Sequence, residues 1–405
     1  MPLLNNNNLL LSSNFIKLSI GGFASSIGFW IQIVLIIIIM YKLTESPFQV
    51  TFANIMWSLP WSIFGGFVGT LASKYDNKQL MLAGRTISII AITILFIFSV
   101  TENLNVTVIY ITLFFHGIGT VIDFPSRRML MFDILGREFI VRGNAVESFL
   151  WQFSKLIGPL LAGFFLTFLS DSYGILLMIV FFFITLITTI MIDYTQPEEY
   201  KPQSQKITIK DYSNLIKNNK IILVVCAGTI IMNLFMFPQQ SMAPFIAVEV
   251  LGKSAEFSSI IIAVEAVGAM ITGMFIFGMN IKRIGIIFAV FSAISLFGLF
   301  IYSFSENYIL SLGIILFVGF GIAGFGATQA SVVQLSTNNN ERPLAMGLLS
   351  ICIGSSPIGS FLYGTIAENY GAQLTVRFLP ITGCIILVAI VLITNVIHKI
   401  SSEDK

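Results

Sequence analysis

A helix needs roughly 20 consecutive apolar residues to cross the hydrocarbon core of a bilayer. This chain repeats stretches of that kind almost from end to end. Polar breaks divide them into twelve expected helices, over 15–41, 51–72, 80–99, 106–131, 142–169, 173–194, 221–248, 257–279, 284–304, 308–335, 344–367 and 374–398. The runs are continuous and do not alternate with period two, so a membrane β-barrel is not expected. Only 10% of the 405 residues are charged, against about 25% in a soluble domain, so a soluble fold could not cover its surface. With a net charge of +2, the composition predicts no nucleic-acid partner. The expectation is an all-α, multi-pass membrane protein lying in a lipid bilayer.

Chemistry-bearing residues are few. Cys226, Cys352 and Cys384 sit in apolar runs without CxxC spacing and read as small core residues. Two histidines, His116 and His398, make a His-built metal site improbable, so no metal is expected. There is no GxxxxGK[ST] motif and no loop large enough for an ATPase domain, so no nucleotide partner is expected. Neither a Ser-His-Asp constellation nor HExxH is visible, which predicts a non-enzyme without catalytic residues or cofactor. The N-terminus carries an Asn run but no basic segment or small-residue cleavage site, and reads as a cytoplasmic tail.

The longest polar stretch, 196–220, lies mid-chain and holds five lysines. It reads as a cytoplasmic linker between six-helix bundles at 1–195 and 221–405. Basic residues fix the expected orientation. Alternating the loops from the N-terminus puts 18 of the 22 Lys and Arg on one side, Arg85, Arg127 and Arg128 among them. The other side receives Lys42, Lys253 and Arg377, while Lys155 stays inside a helix. Both termini are therefore expected in the cytoplasm. The halves also echo each other. Arg142-Gly-Asn-Ala145 and Arg342-Pro-Leu-Ala345 open the fifth and eleventh helices, followed at similar distances by Gly158-Pro159 and Ser356-Pro357. A 6+6 repeat is a transporter layout with its substrate site between the halves.

Two motifs sharpen this. Gly69-Thr-Leu-Ala-Ser-Lys-Tyr-Asp-Asn-Lys78 joins the second and third helices. It resembles the loop signature of the major facilitator superfamily, with Gly69, Leu71, Lys74 and Lys78 matching. Ser73 stands where the family has an aspartate that helps lock the cytoplasmic gate, and Asp76 is the candidate substitute. The fifth helix carries Ala145-x8-Ser154-x3-Gly158-Pro159-x2-Ala162-Gly163. This resembles the glycine-proline motif of the superfamily's antiporters, with small residues at each glycine position. With Asp123-Phe-Pro125-Ser-Arg127-Arg128, the pattern resembles the drug:proton antiporter branch of macrolide and enterobactin exporters. The fourth-helix arginine of other drug-antiporter branches falls at Leu113.

The resemblance implies proton-coupled efflux of a bulky amphipathic small molecule by alternating access, in the inner membrane of a bacterium, by a monomer driven by the proton gradient. The molecule would be a drug such as a macrolide, or a siderophore. A lysophospholipid translocator and a nutrient facilitator of the same fold stay open. Ionisable residues within a bilayer are functional candidates, which nominates Glu265, Lys155, Glu147, Asp123 and Arg127 for coupling and gating. Lys155 and Glu265 are expected to pair between the halves. Asp123 is expected to pair locally with Arg127 at i, i+4, and Glu147 with Arg142 or the Arg127/Arg128 cluster. The resembled fold lines its cavity with helices one, four, seven and ten. That nominates Trp30, Gln32, Phe114, Phe115, His116, Asn233, Phe235, Phe237 and Gln329, with His116 able to titrate near neutral pH.

Overall fold

The computed structural model describes residues 10–72, 75–194, 209–278, 284–337 and 341–394. Among them the secondary structure is helical, with no strand. Lipid cannot accept hydrogen bonds, so each crossing segment must satisfy its backbone internally. Among the described residues, eleven helical spans are long and apolar enough to cross a membrane, and α2 (Pro47–Ala72) is a further helix of 26 residues.

The first contact unit comprises Met1–Ile39 and Met56–Gln205. It holds most of α1 (Ser13–Thr44) and α2, then α3 (Asn77–Val100), α4 (Val106–Gly136), α5 (Val146–Phe168) and α6 (Asp171–Ile190). Asp76 and Asn105 cap α3 and α4 by accepting backbone N–H bonds. The chain stays helical between α4 and α5, broken at Gly136 with φ 67°. That left-handed backbone suits glycine alone. The expected gap between the fourth and fifth helices is thus a helical corner. Near it, Phe15, Leu18, Met81, Leu130, Met131, Leu135, Phe139 and Ile192 close into an apolar core.

The second unit comprises Met40–Ile55 and Lys206–Lys405. Its helices are α7 (Ile209–Asn218), α8 (Lys220–Phe235), α9 (Ser258–Gly278), α10 (Ile284–Tyr302), α11 (Tyr308–Leu335), α12 (Arg342–Ile353), α13 (Ser356–Tyr370) and α14 (Ala372–Thr394). Three sequence expectations change here. The end of the polar linker forms the short helix α7. The seventh span is no single α-helix. After α8 it tightens to a 3-10 segment at Phe237–Met242 and loosens to a π-turn at Ile246–Val250. Pro238 and Pro244 each remove a backbone donor there, which forces the change of pitch. The eleventh span is likewise split between α12 and α13, where Pro357 restarts the helix.

Met40–Ile55 is anchored within this second unit. Glu368 accepts bonds from Ser46 Oγ (2.7 Å) and the Phe48 N–H (3.1 Å), capping the start of α2. Lys42 Nζ lies 2.8 Å from Glu256, and Asn54 donates to Ser360 Oγ at 3.0 Å. Elsewhere, large apolar side chains point outward in stripes. Phe378, Ile385 and Leu392 of α14, seven residues apart, are 60%, 64% and 72% exposed. In water such a face would be a liability; in a bilayer it meets lipid.

Candidate functional site

Glycines in the first unit bring charged groups together inside the membrane. A Cβ on Gly84 of α3 would lie 2.5 Å from the Gly119 carbonyl of α4. Only glycine lets these backbones touch. Beside that contact, Arg85 of α3 is 3% exposed. Its Nε donates to Asp123 Oδ1 of α4 at 2.7 Å, and its Nη1 to the Thr185 carbonyl of α6 at 2.7 Å and to Thr189 Oγ1. Buried Arg85 Nη2 has no hydrogen-bond partner among the described residues. A second pair stands alongside, Arg127 Nη1 to Glu147 Oε1 at 2.8 Å. A Cβ on Gly21 or Gly22 of α1 would strike Thr188 Oγ1 or Arg127 Nη1 respectively. Gly22 therefore leaves room for the Arg127 guanidinium, and Gly21 for the Thr188 side chain.

This replaces the expected Asp123–Arg127 pair. Arg85, counted from sequence as an edge charge, lies two turns inside α3 and takes Asp123. Arg127 turns to Glu147, one of the partners expected for that carboxylate. Arg128 instead stacks 4.6 Å from the Phe124 ring.

The loop signature divides. Lys74 and Ser73 lie outside the described residues, and Gly69 falls in the last turns of α2. Asp76, nominated as a gate carboxylate, is the N-cap of α3 and accepts from the Lys78 and Gln79 N–H groups. Lys78 Nζ donates to the Ile192 carbonyl at 2.5 Å, and Lys17 to Met191 O at 2.8 Å. Two lysines thus meet the unsatisfied carbonyls and negative dipole end of α6. On α5, a Cβ at Gly158 would lie 2.6 Å from Trp30 Cβ and 3.1 Å from the Ile31 nitrogen. Gly158 therefore sets how closely α1 and α5 approach, while Pro159 and Gly163 lie buried beyond it.

The cavity nominees of this unit part company. Trp30 is buried, with the Lys155 ammonium 5.0 Å from its ring. Gln32 is buried, and its Oε1 has no hydrogen-bond partner among the described residues. Phe114 packs edge-on to Phe115, which is 51% exposed. His116 does not face solvent. It is buried edge-on against Phe182 of α6 at 5.1 Å, and neither ring nitrogen has a hydrogen-bond partner among the described residues.

In the second unit the broken seventh span surrounds a carboxylate. Glu265 of α9 is 1% exposed. Gln239 Nε2 donates to its Oε2 at 3.0 Å, and Gln240 Nε2 to its Oε1 at 3.1 Å. The 3-10 segment places both amides on one group. A Cβ on Gly319 of α11 would strike the Glu265 carbonyl, so α9 and α11 pack backbone to backbone at this level. The nominated amides of neighbouring helices are engaged internally. Asn233 Nδ2 donates to the Thr229 carbonyl at 2.9 Å, and Gln329 Nε2 to Thr229 Oγ1 at 2.7 Å. Phe237 stands 6.1 Å from Phe325, and the Phe235 carbonyl accepts the Tyr363 hydroxyl at 2.6 Å.

Sequence reasoning set Arg85 near the cytoplasmic edge and gave it no partner, and it passed over Gln239 and Gln240. Signals existed: an arginine well inside an apolar helix, and paired glutamines between two prolines in an apolar run. Lys155 and Glu265, expected to act together, belong to different units.

Comparisons with known proteins agree with this architecture. Staphyloferrin A transporter of Staphylococcus aureus is 21% identical over 338 residues, covering 82% of this chain and 84% of that protein. Macrolide efflux protein A of Streptococcus pyogenes is 22% identical over 386 residues, covering 90% and 92%. An uncharacterized MFS-type transporter of Bacillus subtilis, YvqJ, is 23% identical over 280 residues, covering 67% of this chain and 66% of its own length. The fold is also that of a crystal structure of an auto-inhibited POT family peptide transporter, with a TM-score of 0.77 at 11% identity, covering 97% and 99%. A family model matches residues 18–361. This helical, multi-pass membrane protein belongs to the Major Facilitator Superfamily.

Proposed function

We propose that this chain is a secondary active exporter that uses the proton gradient to expel a bulky amphipathic small molecule. The relatives named Macrolide efflux protein A and Staphyloferrin A transporter support a drug-like or siderophore cargo. The reading places a monomer in the cytoplasmic membrane of a bacterium, with both termini in the cytoplasm. Its units expose the cargo to one side of the membrane at a time. Lys155 and the carboxylates of Asp123 and Glu147 belong to the machinery that links this movement to protons.

The observation that carries the proposal is Glu265, a membrane-buried carboxylate held by two amides at a break in the seventh span. An ionised carboxylate only accepts, whereas a protonated one also donates. A glutamine serves either state, because turning its amide presents a carbonyl in place of an N–H. One proton on Glu265 therefore changes what Gln239 and Gln240 must do. The segment from Phe237 to Val250, already off regular pitch, takes up the change. A proton can drive transport only by favouring one state over the other, and this hydrogen-bond exchange supplies such a difference.

The test uses purified protein in liposomes with a trapped pH dye under an imposed pH gradient. Macrolides, siderophores, dyes and lysolipids are added in turn. Proton flux elicited by one class, and lost in Glu265→Gln, is the expected result. Folded protein that moves no protons with any of them refutes the coupling. Flux with lysolipids alone would instead establish the lipid-translocator reading.

A further inference from the structure

The chain has three cysteines, all of them free, and two of the three meet. Cys226 stands in the second turn of α8, and Cys352 in the last turn of α12, the first half of the eleventh span. Their side chains hydrogen-bond, one thiol donating to the sulfur of the other. Each residue is 5% exposed. Cys384 of α14 makes a different contact, its thiol 3.9 Å from the Ala293 carbonyl. A thiol is a weak donor and a weak acceptor, so the bond itself holds the helices only loosely. What the pairing adds is chemistry. Two sulfurs already in contact need little adjustment to reach a covalent separation of about 2.05 Å.

The place of the pair gives that chemistry a consequence. Cys352 precedes the break in the eleventh span, and its carbonyl accepts the Ser355 N–H at 3.2 Å and the Ser355 hydroxyl at 2.7 Å. Beyond the break, α13 is fixed to the far end of α8. A Cβ on Gly359 would strike the Asn233 carbonyl, and the Tyr363 hydroxyl donates to the Phe235 carbonyl at 2.6 Å. α8 therefore touches both halves of the eleventh span, α13 through a backbone contact and α12 through the thiol pair. Ile351 and Ile353, on either side of Cys352, are 59% and 47% exposed. The sulfurs thus lie just beneath the surface of the unit, where a small neutral reagent arrives without crossing its core.

We propose that Cys226 and Cys352 are a modification site, a dithiol that hydrogen peroxide closes into a disulfide, stapling α12 to α8 and stiffening the break between α12 and α13. One sulfur attacks a peroxide oxygen. The O–O bond breaks, a sulfenic acid forms, and the thiol proton leaves in a water molecule. The second sulfur then displaces the sulfenic hydroxyl. The S–S bond forms, the S–O bond breaks, and the second thiol proton leaves in another water. The two sulfurs give up two electrons, and the peroxide is reduced to two waters. A buried thiol is a slow nucleophile, so the first step sets the rate. The second joins groups already in contact, and proximity favours it over further oxidation. A thiol reductant reopens the bond by exchange. Arrest of transport by this staple rests on the export reading, in which the broken spans bend as access alternates.

The experiment treats the full-length protein in nanodiscs with hydrogen peroxide, unfolds it in N-ethylmaleimide and weighs it. Reduced protein takes up one maleimide for each of its three cysteines. Treated protein is expected to take up a maleimide on Cys384 alone, and dithiothreitol to restore the full uptake. Digestion should yield the Cys226 peptide joined to the Cys352 peptide. Cys384→Ser should close as readily, whereas Cys226→Ser and Cys352→Ser should show no internal cross-link. Full maleimide uptake after treatment would overturn the proposal. So would sulfinic acid in place of the cross-link, or a disulfide between two copies of the chain. Amide hydrogen exchange reads the stiffening. Closed protein should exchange about tenfold more slowly at Gly354, Ser355 and Ile358, and unchanged exchange would refute the staple. Proton flux in liposomes is read alongside. Closed protein should lose most of its flux and regain it with dithiothreitol, and Cys352→Ser should be immune; closed protein that transports as fast as reduced protein refutes the arrest. Reduced protein that moves no protons refutes the export reading alone, while mass and exchange still decide the staple.

Discussion

Replacing Arg85 with methionine keeps roughly the stem of the side chain and removes its charged guanidinium end. Three things are lost at once: the 2.7 Å bond to Asp123, the 2.7 Å bond to the Thr185 carbonyl and the bond to Thr189. Asp123, 9% exposed, is then a buried carboxylate without its guanidinium. Removing one partner of a buried pair costs about 3–5 kcal/mol, chiefly because the surviving charge is stranded. For a unit of this size, 1 kcal/mol moves the melting temperature by roughly 2–4 °C, so Arg85→Met should lower it by on the order of 10 °C. Adding Asp123→Leu removes the stranded charge. Replacing both members by apolar groups is often neutral, so the double variant should recover most of the loss. The assay is the thermal unfolding of detergent-purified protein, followed by size-exclusion chromatography after heating at a fixed time and rate, because membrane proteins seldom unfold reversibly. The double-mutant cycle isolates the coupling between the two residues. A loss below about 1 kcal/mol for Arg85→Met would refute the reasoning. A double variant as damaged as the sum of the singles would refute it equally, since the residues would then act independently.

The other predictions concern separate links. Gly158→Leu must displace the α1 backbone, because even its Cβ would lie 2.6 Å from Trp30 Cβ; a loss of about 1–3 kcal/mol or more and blocked transport are expected, and normal flux in liposomes would demote the glycine to a packing detail. Lys42→Ala removes an ion pair whose lysine is 37% exposed; such pairs contribute about 0–1 kcal/mol, so the melting temperature should barely move and the small effect should vanish at high salt. Gln239→Leu and Gln240→Leu each take one amide from Glu265, and each should shift the pH dependence of flux while leaving the Glu265→Gln variant, already uncoupled, unaffected. Lys78→Ala should destabilise the first unit by about 0.3–1 kcal/mol through the freed carbonyl end of α6, measured by the same melting assay.

Apolar runs alone mark out most of the helices, because the demand that lipid places on a backbone is local and length-based. The seventh and eleventh spans resisted that reading. Their hydropathy is continuous, and the pitch change comes from prolines whose effect depends on which carbonyls they deprive. The family was legible from the glycine-containing loop and the Gly158-Pro159 helix, since spacing along one helix is a sequence property. That Glu265, Glu147 and Asp123 lie on long apolar helices was also legible. Their partners were not. The i, i+4 rule offered Arg127 to Asp123, yet Gly84 and Gly119 bring α3 against α4 and deliver Arg85 from 38 residues away.

The same division holds across the molecule. Sequence alone determined that this chain lives in a bilayer and where most of its helices run, because the demand of lipid on a segment is met residue by residue. Tertiary structure decided who meets whom. The backbone contacts at Gly84, Gly158 and Gly319 set helix separations that no periodicity encodes. Two consecutive glutamines of the broken seventh span reach one carboxylate. The gathering of Trp30, Trp57 and Trp151 around Phe29 joins three helices whose faces the sequence leaves unassigned. Pairing between helices depends on rotation and depth, and those are fixed only when the helices pack.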